Sequence, residues 1–399
     1  MPKNGNKKHL PHLTGFRAIA AYLVLIAHSL QTTFKYGSIR YAENYISCLA
    51  YLGMSIFFVL SGFVITYTYY DRFIKLSWWQ AAREFTIARF ARLYPLYIII
   101  ILGDRDCFKP LVRQGTIYDW VSYLTLTQSW WNMQMLSFPP AWSISTECFF
   151  YLCFVAWMCP WIVRHSDKYN GRTATMTLAF VLLTLLTAYA GKADITMFLC
   201  HLVNHASEHN VWYWFKYFSP YVRIGEFIAG ACAARMFVTT QYEEPQAADQ
   251  RRANLLCAIS CLAVILLTVG TYCGYVLGND AGWFAPDGFP FFLCHNFGYA
   301  PFLAYIFYTC TKYPNLIARW CSTRMMQAGG EISYSIYMLQ FWIYYHVLWD
   351  QVAGVPSFFA YEISILKAIF YVLFITLISF CSYRLIEVPS RRLLRWWLN

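Results

Sequence analysis

Charge is what this chain has least of. Only 13% of its 399 residues are Asp, Glu, Lys or Arg, whereas an ordinary soluble domain carries about 25%. With 59% hydrophobic residues, and the few charges gathered between long apolar runs, a large soluble core is excluded in favour of a membrane-embedded chain. A CxxC pair is also missing, so the fourteen cysteines imply neither a disulfide framework nor a zinc site. Most of them, including Cys153, Cys232, Cys261 and Cys381, fall inside apolar runs, where Cys behaves as a small hydrophobe. No small-residue cleavage site follows Leu30, and a polar Gln-Thr-Thr stands there instead. Lys3, Lys7 and Lys8 therefore precede a retained first span and not a removable signal peptide. Long linkers, low-complexity tracts and internal repeats are absent, so a single transmembrane domain over 1–399, with no appended soluble domain, is expected. The missing repeat weighs against a transporter, because many transporters are built from repeated halves. The net charge of +11 shows no basic stripe interleaved with aromatics outside the juxtamembrane loops, so no nucleic-acid partner is expected.

What is present is a series of apolar runs of spanning length. They predict an all-α, polytopic membrane protein of about ten transmembrane helices. The expected spans are 14–34, 47–70, 86–103, 143–163, 174–191, 220–238, 254–277, 296–311, 329–349 and 363–386. Basic residues crowd alternate loops, among them Lys7, Arg72, Arg83, Arg172, Arg251, Arg324 and Arg391. The opposite loops hold few, and the last two hold none, which places both termini in the cytoplasm.

Within the first span, Arg17 and His28 are eleven residues apart. Three helical turns take about 10.8 residues, so both project from one face, separated by roughly 16 Å along the axis. Ionisable groups are costly at membrane depth and mark function by default. Neutral imidazole can take a proton from a hydroxyl near neutral pH, which suits His28 to general-base work. A structural hydrogen bond to a neighbouring helix is the plainer role for such a His. Arg89 and Arg92 form an i, i+3 pair at one end of the third span. They serve either as positive-inside anchors or as a guanidinium site for phosphates. Glu147, near the outer end of the fourth span and so away from the cytoplasmic Arg89–Arg92 end of the third, needs a partner: His28, an arginine, an acceptor, or simply the helix N-terminus. Glu226 near Arg223, and Glu387 near Arg384, read as structural pairs, and Gly53 to Phe63 as a close helix crossing. His201, His205 and His209 are spaced as a helical run in an outer loop. The outer two would stand about 12 Å apart, so all three cannot share one ion, and no metal site is expected.

Taken together, several stretches resemble acyltransferase family 3, the integral membrane O-acyltransferases. They are Leu13-Thr-Gly-Phe-Arg17-Ala-Ile-Ala with His28, Phe57-Phe-Val-Leu-Ser-Gly-Phe63 and Arg89-Phe-Ala-Arg92-Leu-Tyr-Pro. Trp142-Ser-Ile-Ser-Thr-Glu147, Ile332-Ser-Tyr-Ser-Ile-Tyr-Met-Leu-Gln and Ile386-Glu-Val-Pro389 follow in order. One departure is Gln340, where such proteins often carry a His; Gln cannot shuttle protons. The resemblance implies acyl-CoA, usually acetyl-CoA, as donor co-substrate from the cytoplasm, with no metal. It implies transfer to a hydroxyl of a cell-surface carbohydrate or glycolipid, such as lipopolysaccharide O-antigen or exopolysaccharide, in the bacterial inner (plasma) membrane. By match to the motifs, His28 would be the catalytic base and Arg17 its partner, with Arg89 and Arg92 holding the donor; Glu147 would orient the imidazole or the acceptor. Ser143, Ser145 or a tyrosine would supply oxyanion donors. The alternative is a transporter or flippase in which Arg17, His28 and Glu147 form a polar path. A catalytically dead membrane sensor accommodates Gln340 but explains the Arg17–His28 spacing poorly.

Overall fold

In lipid every backbone amide must find its partner inside its own segment, so long apolar runs have little choice but to be helical. The computed structural model describes residues 10–34, 47–103, 112, 115–131, 140–160, 171–202, 208–240, 246–286, 288–313, 315–343 and 360–396, and they are helical almost throughout. The principal helices are α1 (Pro11–Phe34), α2 (Ser47–Lys75), α3 (Trp78–Gly103), α4 (Ala141–Cys153) and α5 (Gly171–Ala190). They continue with α6 (Pro220–Thr240), α7 (Ala247–Leu277), α8 (Ala300–Lys312), α9 (Arg324–Glu331), α10 (Ser333–Ile343), α11 (Ala360–Ser382) and α12 (Val388–Trp396). Turns of π-helix follow α4 (Phe154–Met158), precede α6 (Trp214–Phe218) and join α11 to α12 (Tyr383–Glu387).

Seven of the described helices are long and apolar enough to cross a membrane: Pro11–Leu30, Ser47–Lys75, Trp78–Gly103, Ala141–Met158, Gly171–Ala190, Ala247–Leu277 and Leu366–Leu393. The molecule is an all-α integral membrane protein. Three other expected spans are helical but depart from a simple apolar rod. The 220–238 run, now α6, carries Arg223, Glu226 and Arg235, all of them buried. Of the 296–311 run only the part from Ala300 onward belongs to one continuous helix, the 13-residue α8 that ends at Lys312. The 329–349 run is divided between α9 and α10, and its last residues lie outside the described ones.

α2 sits at the centre. Its most apolar window is 72% buried by protein, against 17% for α7 and 11% for α5, whose flanks of exposed Leu and Ile are left for lipid. Close backbone approach sets the crossing of α2 and α6. A Cβ at Gly62 would lie 2.0 Å from the Phe227 carbonyl oxygen, and one at Gly230 would lie 1.8 Å from that of Val59. Without an aqueous phase to drive helices together, small residues at the contact let dispersion and packing do so. The expected crossing at Gly53–Phe63 is therefore observed. α1 is held against α2 and α9 in the same manner, with Gly330 against the Thr14 carbonyl. On either flank of α2 lie two apolar clusters, one around Phe58, Phe85, Phe150 and Phe154, the other around Phe63, Phe237 and Phe307.

Gly230→Ala forces a Cβ into a backbone oxygen. We expect it to lower stability by on the order of 1–3 kcal/mol, the usual cost of overpacking. Gly103→Ala, with nothing within 4 Å of its added Cβ, serves as the unchanged control. Thermal unfolding of the detergent-solubilised protein reads both.

Candidate active site

The crossing of α1, α2, α3, α4 and α10 leaves a cavity of about 80 Å³, room for several waters or a thin chain. Its walls are mostly apolar: Met54, Phe57, Phe58, Leu60, Val64 and Ile65 from α2, Leu93 from α3 and Ile144 from α4. Into this surface project Arg17, Arg89, Arg92 and Glu147, with Ser61, Ser143, Tyr151, Ser333, Tyr334 and Tyr337. Four of the five predicted site residues, from three helices, thus share one cavity.

Each has a physical reason for its place. Arg89 is packed over the rings of Tyr69 and Phe85, its guanidinium carbon 5.5 and 5.8 Å from their centroids, an arrangement that cation–π attraction favours. Its Nε is enclosed and meets no acceptor among the described residues. Arg92 follows one turn later on α3. Pro95, with no amide hydrogen, leaves the Ala91 carbonyl beside it without an intrahelical donor. Glu147 accepts from the Tyr151 hydroxyl at 2.7 Å and lies within reach of Ser61, in the field of both arginines. Of the partners open to it in the sequence, the structure gives Glu147 the arginines and not His28. It also corrects the expected place of Glu147 near the outer end: the carboxylate shares the depth of Arg89 and Arg92 because it stands two turns inside α4.

His28 stands apart. It is not among the residues lining the cavity. Its ring packs edge-on against Phe341 at 4.6 Å, and its Nδ1 lies 3.3 Å from Gln340 Oε1. The Gln340 amide nitrogen donates to the carbonyl of Tyr337 at 3.0 Å, so its oxygen is the atom turned toward the imidazole. Nδ1 then carries the ring hydrogen and Nε2 keeps its lone pair. Tyr371 holds the Gln340 carbonyl in turn. Gln340 cannot relay protons, yet it fixes which tautomer His28 adopts. Since Tyr337 lines the cavity, the imidazole is one helical turn of α10 beyond it.

Of the expected oxyanion donors, Ser143 lines the cavity, with its hydroxyl donating to the Pro140 carbonyl at 3.1 Å. Ser145 is fully buried and engaged by Ser129, whose amide and hydroxyl lie 3.0 and 2.8 Å from its oxygen. Tyr151, Tyr334 and Tyr337 were not singled out by sequence reasoning, although Tyr334 and Tyr337 stand at helical spacing in a quoted motif. Ser61 had been read as packing alone. Of the histidine run, His201 and His209 are exposed and His205 lies outside the described residues. Among the described residues no three His, Cys, Asp or Glu gather as metal ligands.

A second polar cluster lies on the far side of Phe58. Arg223 and Glu226 pair at 2.8 Å, both wholly buried, as their spacing predicts. The guanidinium donates to the His295 carbonyl and sits over Phe58, Tyr217 and Trp142 at 4.9, 5.3 and 5.8 Å. His295 itself bonds the Phe291 carbonyl and Tyr275, which meets Tyr51 at 2.6 Å. Glu387, in contrast, pairs with Arg391 and not with Arg384 as expected. Arg391 lies one α-helical turn past it, whereas Arg384, inside the π turn, stacks on Phe380.

A family model described as an acyltransferase domain matches residues 10–384. The O-acetyltransferase OatA of Staphylococcus aureus is 23% identical over 406 residues, covering 98% of this chain and 59% of that protein. The acyltransferase MdmB of Streptomyces mycarofaciens is 32% identical over 157 residues, 37% of this chain and 39% of that protein. The chain thus spans less than two thirds of the length of either relative. No solved structure matches.

Removing one partner of a buried ion pair strands the other. We expect Arg223→Leu to cost on the order of 3–5 kcal/mol, and Arg223→Leu with Glu226→Leu to regain most of it. Thermal unfolding of the two variants in detergent measures the difference.

Proposed function

The chain belongs to acyltransferase family 3, and on that premise we propose that it is a membrane O-acyltransferase moving an acyl group, acetyl in our reading, from cytoplasmic acyl-CoA to a hydroxyl of a cell-surface carbohydrate or glycolipid. The observation that carries the proposal is the convergence of Arg17, Arg89 and Arg92 on one cavity with a single carboxylate, Glu147, among them. Three fixed cations against one anion, inside an apolar bundle, favour an anionic guest. Guanidinium forks fit phosphate oxygens, so the donor set suits a CoA nucleotide, with Arg89 and Arg92 as its main holders. When bound, that nucleotide supplies an activated thioester.

In this reading His28 takes the proton from the acceptor hydroxyl as the hydroxyl oxygen attacks the thioester carbonyl; the carbonyl reforms as CoA thiolate leaves. Gln340 holds the imidazole in the tautomer that can accept at Nε2. Glu147, bonded to Tyr151, offsets part of the arginine charge. Tyr337 in this reading donates to the developing oxyanion, and Ser143 does so on giving up its bond to the Pro140 carbonyl. The distance between Arg17 and His28 separates donor entry from acceptor attack, so the acyl group crosses part of the membrane before it is transferred. The acceptor then approaches from the face opposite the arginines, and the bacterial inner membrane is the compartment where such a division is useful. A transporter reading needs Arg17, Glu147 and His28 on one continuous path, and acyl transfer equally needs the thioester arm to pass Tyr337 to reach His28. The place of His28 outside the cavity therefore bears on both, and CoA release separates them.

Transport needs two compartments and acyl transfer does not. Release of CoA from acetyl-CoA by the purified protein in detergent, with surface glycan supplied as acceptor, is the expected result. His28→Ala is expected to reduce that rate by roughly 10²–10⁴-fold, with acetyl-CoA affinity unchanged. Arg89→Gln and Arg92→Gln are expected to raise the KM for acetyl-CoA by at least about tenfold, one charge-assisted phosphate contact each. Turnover by His28→Ala near that of the native protein would exclude His28 as the base.

A further inference from the structure

Arg391 has so far entered only as the partner of Glu387. Its surroundings assign it more. The π turn Tyr383–Glu387 carries Glu387 inward until it is 2% exposed. There the Ser335 hydroxyl donates to Oε1 at 2.6 Å while the Arg391 guanidinium donates to Oε2. Ser335 stands next to Tyr334, which lines the cavity and donates to the Leu93 carbonyl, one residue from Arg92. The Glu387–Arg391 pair therefore backs directly onto the arginine end of the cavity. Arg92 lies near enough to interact with both of its charges.

The charge count is the point. Among the described residues, Arg17, Arg89, Arg92 and Arg391 are met by Glu147 and Glu387, with Glu331 beyond the Tyr383 ring on which Arg391 stacks, four cations to three carboxylates. Arg92 and Arg391 repel each other, and Arg391 Nε is enclosed without an acceptor among the described residues. A positive-inside anchor needs only to reach the headgroups. It does not need a buried carboxylate, itself braced by a serine, to hold its fork in place. The Arg391 side chain is 29% exposed, and Arg17, Arg89 and Arg92 are likewise half-buried.

We propose that Arg391 is a further binding residue of the donor site, taking the 3′-phosphate of the CoA nucleotide beside the cavity, with Glu387 and Ser335 as its positioning residues. This rests on the reading that the donor is an acyl-CoA. The diphosphate is then left to the arginines that line the cavity, and the nucleotide end stays at Arg391.

Isothermal titration of the full-length protein in detergent with CoA and with 3′-dephospho-CoA tests it. The native protein is expected to bind CoA about tenfold more tightly than 3′-dephospho-CoA, the worth of one charge-assisted contact. Arg391→Gln is expected to abolish that preference by weakening CoA alone. Arg391→Lys keeps a charge beside Glu387 and is expected to retain part of it, as is Glu387→Gln, which loosens the fork without removing it. If Arg391→Gln or Arg391→Lys leaves the preference intact while Arg92→Gln weakens CoA, the assignment of Arg391 fails and the donor reading stands. Equal weakening of both ligands by Arg391→Gln and Arg391→Lys overturns the assignment to the 3′-phosphate. If the native protein binds neither ligand, the donor reading fails and takes this one with it.

Discussion

A guanidinium removed from water must be met by something, and in this molecule the helices are arranged around that need. α2 and α6 approach closely at Gly62 and Gly230, and α1 meets α2 at Gly53 and α9 at Gly330, which brings Arg17 of α1 and Ser61 of α2 to the same cavity as Arg89 and Arg92. Aromatic faces and the Glu147 carboxylate take up part of the charge. Among the described residues no second carboxylate lines the cavity. A structural ion pair would be balanced, as Arg223 and Glu226 are on the other side of Phe58. The excess at the cavity is what distinguishes a site built for an anion from a brace.

The separation of His28 from the arginines gives the proposed chemistry its direction. Arg17 and His28 share one stripe of α1, yet only Arg17 reaches the cavity. Tyr337 and Gln340 lie between, one turn apart on α10, and both are tied to backbone or to the imidazole. A base next to the phosphates would have its proton affinity lowered by the same cations that hold the donor. Distance and a neutral amide neighbour avoid that. In place of a second histidine, Gln340 contributes a fixed orientation, which suits a single-base reaction.

Much of this was legible in the residues, because a membrane makes the rules severe. An ionisable residue in an apolar run is conspicuous, so Arg17 and Glu147 could be named from spacing and cost, whereas Arg89 and Arg92 read as anchors on spacing alone and became site candidates only through the family resemblance. Their convergence could not, since it depends on which helices cross. Glu387 shows why partners are harder than participants: the local sequence suggests Arg384, and only the π turn makes Arg391 the neighbour. Tyr334 and Tyr337 were invisible for a different reason. In a chain with 32 tyrosines, a phenol is unremarkable until a cavity opens beside it. Of the spans that break the simple pattern, α6 carries the buried Arg223–Glu226 pair and the α9–α10 pair lines the site through α10, whereas the shorter α8 does neither.

The central claim is that the arginine-lined cavity receives the acyl donor with its thioester end directed toward His28. A cryo-electron-microscopy map of the detergent-solubilised protein with bound CoA tests this most directly. The account predicts phosphate density against Arg89 and Arg92, with the pantetheine arm running past Tyr337 toward the imidazole. Nucleotide density elsewhere, or an arm that turns away from α10, would contradict it.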